Sequence, residues 1–177
     1  MSAVRDTQRA RVYDAEQLVR VIFDRAAEFG HRTIELHGSR LTLPDERKFA
    51  SVESVQRYCD RVLALGWVAS NWARAGVPIR VRARAGTVAA HYESDPAVLA
   101  VPVHADRASR GGRSAWALRE LVVLHELAHH LEPRPAAVAA HGPGFCGRYV
   151  ELVDGVIGPE AGLLLRVTLH DCGVRLG

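Results

Sequence analysis

The sequence predicts an α+β domain: a small, mainly antiparallel sheet, a central helix that carries the chemistry, and further helices around it. Three observations predict this. Residues 114–131 are apolar almost all round, with Leu118, Leu121, Val122, Val123, Leu124 and Leu127 among them, and a helix without a polar side belongs in the middle of a domain. Residues 79–84 alternate instead, Ile79, Val81 and Ala83 against Arg80, Arg82 and Arg84, which is the two-residue period of a half-buried strand. The flanking stretches have the three-and-four spacing of helices that cover one side.

A chain of 177 residues, 48% apolar and 24% charged, has the size and composition of one ordinary globular domain and buries a core without staples. Residues 1–76 are expected to be mainly helical, and residues 77–177 to hold the sheet and the helices of the site, all within a single domain. The opening from Met1 to Ala10 has no apolar run behind basic residues, and no stretch approaches a membrane span, so a cytoplasmic protein without a membrane partner is expected. Cys59, Cys146 and Cys172 are odd in number and lack paired spacing, which speaks against a disulfide framework or a zinc ribbon. Lys48 is the only lysine and Asn71 the only asparagine, the bias of a GC-rich genome. The net charge of +3 therefore permits nucleic-acid contact without calling for it.

Taken in order, the first helix is expected from Asp14 to Phe29, burying Leu18, Val21, Ile22 and Phe29 and ended by Gly30. Thr33 to His37 and Leu41 to Leu43 read as short strands. Ser51 caps a second helix running to Leu65, which buries Val52, Val55, Cys59 and Val62 before Gly66 stops it. The alternating strand at 79–84 turns at Ala85-Gly86 and returns from Thr87 to Tyr92, a hairpin. Val98 to His104 is a third strand, and Pro102 within it, unable to donate, argues for the sheet edge. Beyond Gly111-Gly112, Ser114 caps the central helix, which continues through Leu131 until Pro133 and Pro135. Pro143 opens the next helix, with Phe145, Tyr149, Leu152 and Val156 on one side, and Pro159 opens the last, which is expected to fray toward Gly177.

The chemistry lies on the central helix. His125-Glu126-Leu127-Ala128-His129 places two imidazoles one turn apart on one face, about 6 Å along the axis, so that both reach one ion, with Glu126 on the flank of that face to activate a water on the metal. Zinc is the expected ion. A metal also satisfies two imidazoles that would otherwise have to find partners in the core. A catalytic zinc needs a third protein ligand. Glu132 is about 10 Å along the axis from His125, too far to share the ion, and His130 points about 100° away. His141 is the expected third ligand, standing at the mouth of the next helix after a flexible connection. Glu151 and Asp154 remain alternatives, as ligands or as acceptors for the imidazole N–H groups.

The segment from His125 to Phe145 resembles the SprT-like zinc metalloproteases, which join His-Glu-x-x-His to a downstream His-Gly-x-x-Phe, here His141-Gly142-Pro143-Gly144-Phe145. The resemblance implies a zincin-like fold with a small twisted sheet beside the metal-binding helix, and His141 as the third ligand. The cysteine-rich ribbon that SprT proteins usually add is absent from this sequence. Over most of its length the chain also resembles an uncharacterised family of actinobacterial metallohydrolases, on the opening Arg5-Asp6-Thr7-Gln8-Arg9, Val12-Tyr13 and Ala15-Glu16, the His-Glu-Leu-Ala-His-His run and the late histidine. That resemblance implies a metal and hydrolysis and no particular substrate.

Arg80, Arg82 and Arg84 line one strand face and are read as a solvated face rather than a polyanion site. Tyr149, Tyr92 and His104 are candidate donors to an oxyanion formed during hydrolysis. Trp67, Trp72 and Trp116 are expected in the core or over the N-terminal helices, and Cys146 lies close to the metal residues without serving as a ligand. The expected function is zinc-dependent hydrolysis of a peptide or protein, with Glu126 as general base. The substrate is expected to extend along the edge formed by Val98 to His104. The competing expectation is a metal-stabilised module for regulation or nucleic-acid association, against which the intact Glu126 argues.

Overall fold

A computed structural model describes residues 4–85, 89–102, 118–133 and 138–177. The fold is mixed α+β with small sheets, and the chain divides into two compact units, Met1–Glu46 with Ala136–Gly177, and Arg47–Pro135.

The first unit begins with α1 (Arg9–Phe29), a turn longer at its start than expected, and Gly30 ends it in the left-handed conformation at φ 65°. Its buried stripe is Val12, Ala15, Val19, Phe23 and Ala26. Leu18, Val21 and Phe29, expected in the core, are exposed. The small alanines complete the buried stripe, so the large side chains alone pointed to the wrong face. The hairpin of β1 (Thr33–Leu36) and β2 (Ser39–Thr42) pairs Leu36 with Ser39. Its two loop residues, His37 and Gly38, both have positive φ, as a two-residue hairpin turn of this twist requires.

Two helices opened by prolines complete this unit, α5 (Pro143–Val156) and α6 (Pro159–Asp171), and α6 packs against both α1 and α5. The α5–α6 contact needs a glycine, because a Cβ on Gly162 would stand 2.6 Å from that of Asp154. The segment after α6 does not fray. Gly177 N–H donates to the Pro143 carbonyl at 3.0 Å, and the same segment runs so close to α5 that a Cβ on Gly147 would collide with the Gly177 carbonyl oxygen.

The second unit starts with α2 (Val52–Leu63), capped as expected by Ser51: Ser54 N–H donates to Ser51 Oγ at 3.2 Å, and Ser51 N–H donates to Ser54 Oγ at 3.1 Å. Gly66 does not merely stop this helix but begins another, α3 (Gly66–Asn71), followed by a 3-10 turn at Ala73–Gly76. Trp67 and Trp72 are half-buried and meet edge to face, with centroids 5.7 Å apart, instead of filling the core. Trp116 lies outside the described residues.

The sheet overturns two expectations. Its order is β3 (Arg80–Arg84), β5 (Val98–Pro102), β4 (His91–Glu93), with β5 in the centre, parallel to β3 and antiparallel to β4. β3 and β4 are therefore not hairpin partners, and Val98 to Pro102 is not an edge; the sheet is mixed rather than mainly antiparallel. Every residue of β5 is buried, and a strand apolar on both faces belongs between neighbours. Pro102, which lacks an N–H to donate, is the last described residue of this strand. Residues 86–88 of the expected hairpin, and Val103 and His104, lie outside the described residues. On the outer side of β3, the Gln56 amide of α2 donates to the Ile79 carbonyl at 3.0 Å and accepts from Val81 N–H at 2.7 Å.

The helix of the expected metal residues, α4 (Glu120–His130), packs against β4 and α2. It starts later than the sequence suggests. Arg119 is extended at φ −129° and ψ 154°, because the backbone here pairs with another segment: Phe49 N–H donates to Leu118 O at 2.8 Å and Glu120 N–H to Arg47 O at 2.9 Å. Ser114, the expected cap, lies outside the described residues. Among the described residues no helix is long and apolar enough to cross a membrane.

Candidate metal centre

The position of α4 is fixed by a carboxylate at its first turn. Glu120 is fully buried; its oxygens accept from Arg47 N–H at 2.9 Å, from the Arg47 guanidinium, and from the Tyr58 hydroxyl at 2.7 Å. A buried carboxylate without partners would destabilise the fold by several kcal/mol, on the order of what breaking a buried pair costs. With three donors it instead anchors α4 to the segment before α2 and to α2 itself. Sequence reasoning did not single out Glu120, because a helix expected from Ser114 leaves it inside the helix rather than at the first turn where it stands.

One turn further on, the helix brings His125 and His129 together. Their Nε2 atoms are 3.2 Å apart and their rings meet edge to face, with centroids separated by 4.9 Å. Two nitrogens each about 2.0–2.1 Å from a tetrahedral zinc stand about 3.3–3.4 Å from each other. At 3.2 Å the pair is close to that spacing and is also within hydrogen-bond range of one ring nitrogen for the other. Glu126, between them in sequence, is buried on the same helix. The seam is local to α4 and follows directly from the four-residue spacing.

The adjacent His130 has a different task. Its Nε2 lies 3.0 Å from the Val77 carbonyl, which can only accept, so the proton sits on Nε2 and Nδ1 accepts from the Tyr92 hydroxyl at 2.9 Å. Arg74 adds Nε–H to the His130 carbonyl at 2.7 Å and Nη2 to the Tyr92 oxygen at 3.2 Å. Tyr92, a candidate oxyanion donor in the sequence, has its hydroxyl proton committed to His130. The arginine face, expected to be solvated, is so only in part: Arg80 is exposed, whereas Arg82 and Arg84 are half-buried, Arg82 paired with Glu93 and Arg84 Nη1 2.7 Å from His91 Nδ1 and 3.0 Å from the Ala89 carbonyl.

His141 belongs to the first unit and sits in a turn closed by Gly142 N–H on the Ala139 carbonyl at 2.9 Å, one residue before the N-cap of α5. Gly142 keeps this turn tight, since a Cβ there would approach Ala139 O to 3.0 Å. His141 is buried. Its Nδ1 is 2.6 Å from Asp6 Oδ2, and its ring meets Phe145 and Tyr13 with centroids at 5.0 and 5.3 Å. Burial works to raise the Asp6 carboxyl, but the hydrogen bonds and charge of His141 outweigh it and hold the group below its ordinary value.

Glu151 and Asp154, the alternative ligands or acceptors, are exposed, and Asp6 is the carboxylate that engages His141. Tyr149 is buried and stacks on Phe145. The Cys146 thiol donates to the His141 carbonyl with sulfur and oxygen 3.6 Å apart, and burial, with Glu16 and Asp6 nearby, pushes its pKa up to about 12. Cys146 is thus a buried thiol held against the His141 carbonyl. His104 lies outside the described residues. Comparison of the chain with protein-family models, with curated proteins and with solved structures finds no match.

Proposed function

We propose that this protein is a zinc-dependent hydrolase in which His125, His129 and His141 bind the metal and Glu126 is the general base. The observation that carries the reading is the 3.2 Å separation of the His125 and His129 Nε2 atoms on α4, the spacing of two ligands on one tetrahedral ion. His141 joins them in the proposal on the sequence pattern, a late histidine just before the N-cap of α5 that follows the His-Glu-x-x-His run. Three histidines leave one zinc position open for chemistry. The hydrogen bond from His141 Nδ1 to Asp6 is the type of contact that orients metal-binding histidines.

When bound, zinc supplies a Lewis acid that polarises a carbonyl and acidifies water. Glu126 takes the proton from the attacking water and delivers it to the leaving group as the scissile bond breaks. A peptide bond is the proposed substrate class, on the strength of the His-Glu-x-x-His arrangement; addition of a peptide along β5 is no part of the proposal, since that strand is paired on both sides.

The test is metal analysis of purified protein with single alanine variants. One zinc per chain is expected in the parent, and loss of stoichiometric zinc in His125→Ala, His129→Ala and His141→Ala. Full zinc affinity retained by His141→Ala would remove that residue from the ligand set; no zinc in the parent protein would overturn the reading. Zinc bound without cleavage of any member of a broad peptide library would favour the metal-stabilised module.

A further inference from the structure

We propose that Asp6 and Gln8, in the segment before α1, form a positioning device for His141 that sets its tautomer and holds its ring for metal binding. The inference rests on His141 being a zinc ligand. It begins from the way one carboxylate oxygen meets two atoms of the same residue. Asp6 Oδ2 is 2.6 Å from His141 Nδ1 and accepts from the His141 backbone N–H at 3.2 Å. An ionised carboxylate has no proton to give, so Nδ1 must carry the hydrogen, and a neutral ring then presents its lone pair at Nε2. A histidine binds metal through a nitrogen lone pair, and a carboxylate on the other nitrogen raises its basicity.

Gln8 fixes the opposite side of the residue. Its buried amide donates from Nε2 to the His141 carbonyl at 3.2 Å. The same nitrogen lies 3.2 Å from the Arg175 carbonyl, and Oε1 accepts from Arg175 N–H at 2.8 Å, so the amide is itself held by the segment after α6. Both backbone polar groups of His141 and one ring nitrogen are thereby bound by two side chains two residues apart. Phe145 and Tyr13 border the ring. A contact needed only to attach the N-terminal segment would not have to engage the ring nitrogen.

The experiment compares the parent with Asp6→Ala, and with Thr7→Ala, an exposed neighbour in the same segment, as a control. Histidine ring 15N spectra of the zinc-free protein report the tautomer, and chelator competition reports zinc affinity. Expected are an Nδ1–H tautomer at His141 in the parent, its loss in Asp6→Ala, and an affinity lower by about 10- to 100-fold, with Thr7→Ala unchanged. An unaltered tautomer and affinity in Asp6→Ala, or an equal loss in Thr7→Ala, would overturn the proposal. A tautomer change in a protein whose parent form never binds zinc would leave Asp6 setting the ring and sink the zinc reading instead. If Asp6→Ala does not fold, Asp6→Asn takes its place: the isosteric amide removes the charge, several-fold weaker zinc binding at an unchanged melting temperature is expected, and unchanged affinity overturns the proposal.

Discussion

The Tyr92 hydroxyl and His130 Nδ1 are 2.9 Å apart, and this bond separates two neighbouring histidines by role. His129 shares its face of α4 with His125, whereas His130 holds the helix end to Tyr92 and to the Val77 carbonyl. His130→Ala is expected to cost about 2–4 kcal/mol, through a lost buried side chain and an unpaired carbonyl, while zinc remains at one per chain. Denaturant titration alongside metal analysis checks it. Zinc lost at unchanged stability would place His130 among the ligands.

Glu126→Gln keeps the shape of the side chain and removes the base. The variant should fold and bind zinc like the parent, and its hydrolytic rate should fall by at least about 100-fold, the usual contribution of a positioned general base. Equal turnover in parent and variant, with zinc confirmed in both, would refute the assigned role.

The Tyr58 hydroxyl is pushed far above its ordinary value by burial and then by the charge and hydrogen bond of Glu120, and burial likewise raises the Cys59 thiol. Both groups hold their protons more tightly folded than unfolded. Their contribution to stability is therefore complete below the ordinary values, about 9 for the thiol and 10 for the phenol, and is lost as the pH rises above them. Urea midpoints should fall above about pH 9. Tyr58→Phe should flatten part of that decline while costing about 2 kcal/mol at neutral pH, because Glu120 loses a donor. Identical alkaline slopes in parent and variant would contradict this account.

Gly147→Ala places a methyl group where the Gly177 carbonyl lies. The segment after α6 should lift from α5, and faster amide exchange is expected at Arg175 and Gly177, which donate to Gln8 and Pro143. Exchange measured by NMR at those two amides decides it, and protection equal to that of the parent would show that the methyl group is accommodated.

The parts of the site that the sequence made legible are local. Two histidines four apart in an apolar helix declare their shared face, and Gly142-Pro143 declares the start of α5, because backbone geometry alone turns the spacing into structure. The carboxylate serving His141 was not legible: Asp6 lies 135 residues away in sequence, and Glu151 and Asp154 were nearer candidates by proximity along the chain. Glu120 was missed for the same reason, since Arg47 and Tyr58 reach it across more than sixty residues. In the sheet, Pro102 suggested an edge, but the burial of every residue from Val98 to Pro102 outweighs one missing donor. The buried face of α1 was misjudged because alanines close it.

The Gln56 amide, set against Ile79 and Val81, gives β3 a neighbour one peptide unit long. An uncovered strand margin invites other chains to pair with it and so begins intermolecular stacking. Here a single side chain from α2 occupies the donor and acceptor at which such growth would start. Gln56 thus acts as a chain terminator for the sheet, and replacing it with leucine would carry its penalty in solubility at high concentration more than in the stability of the isolated molecule.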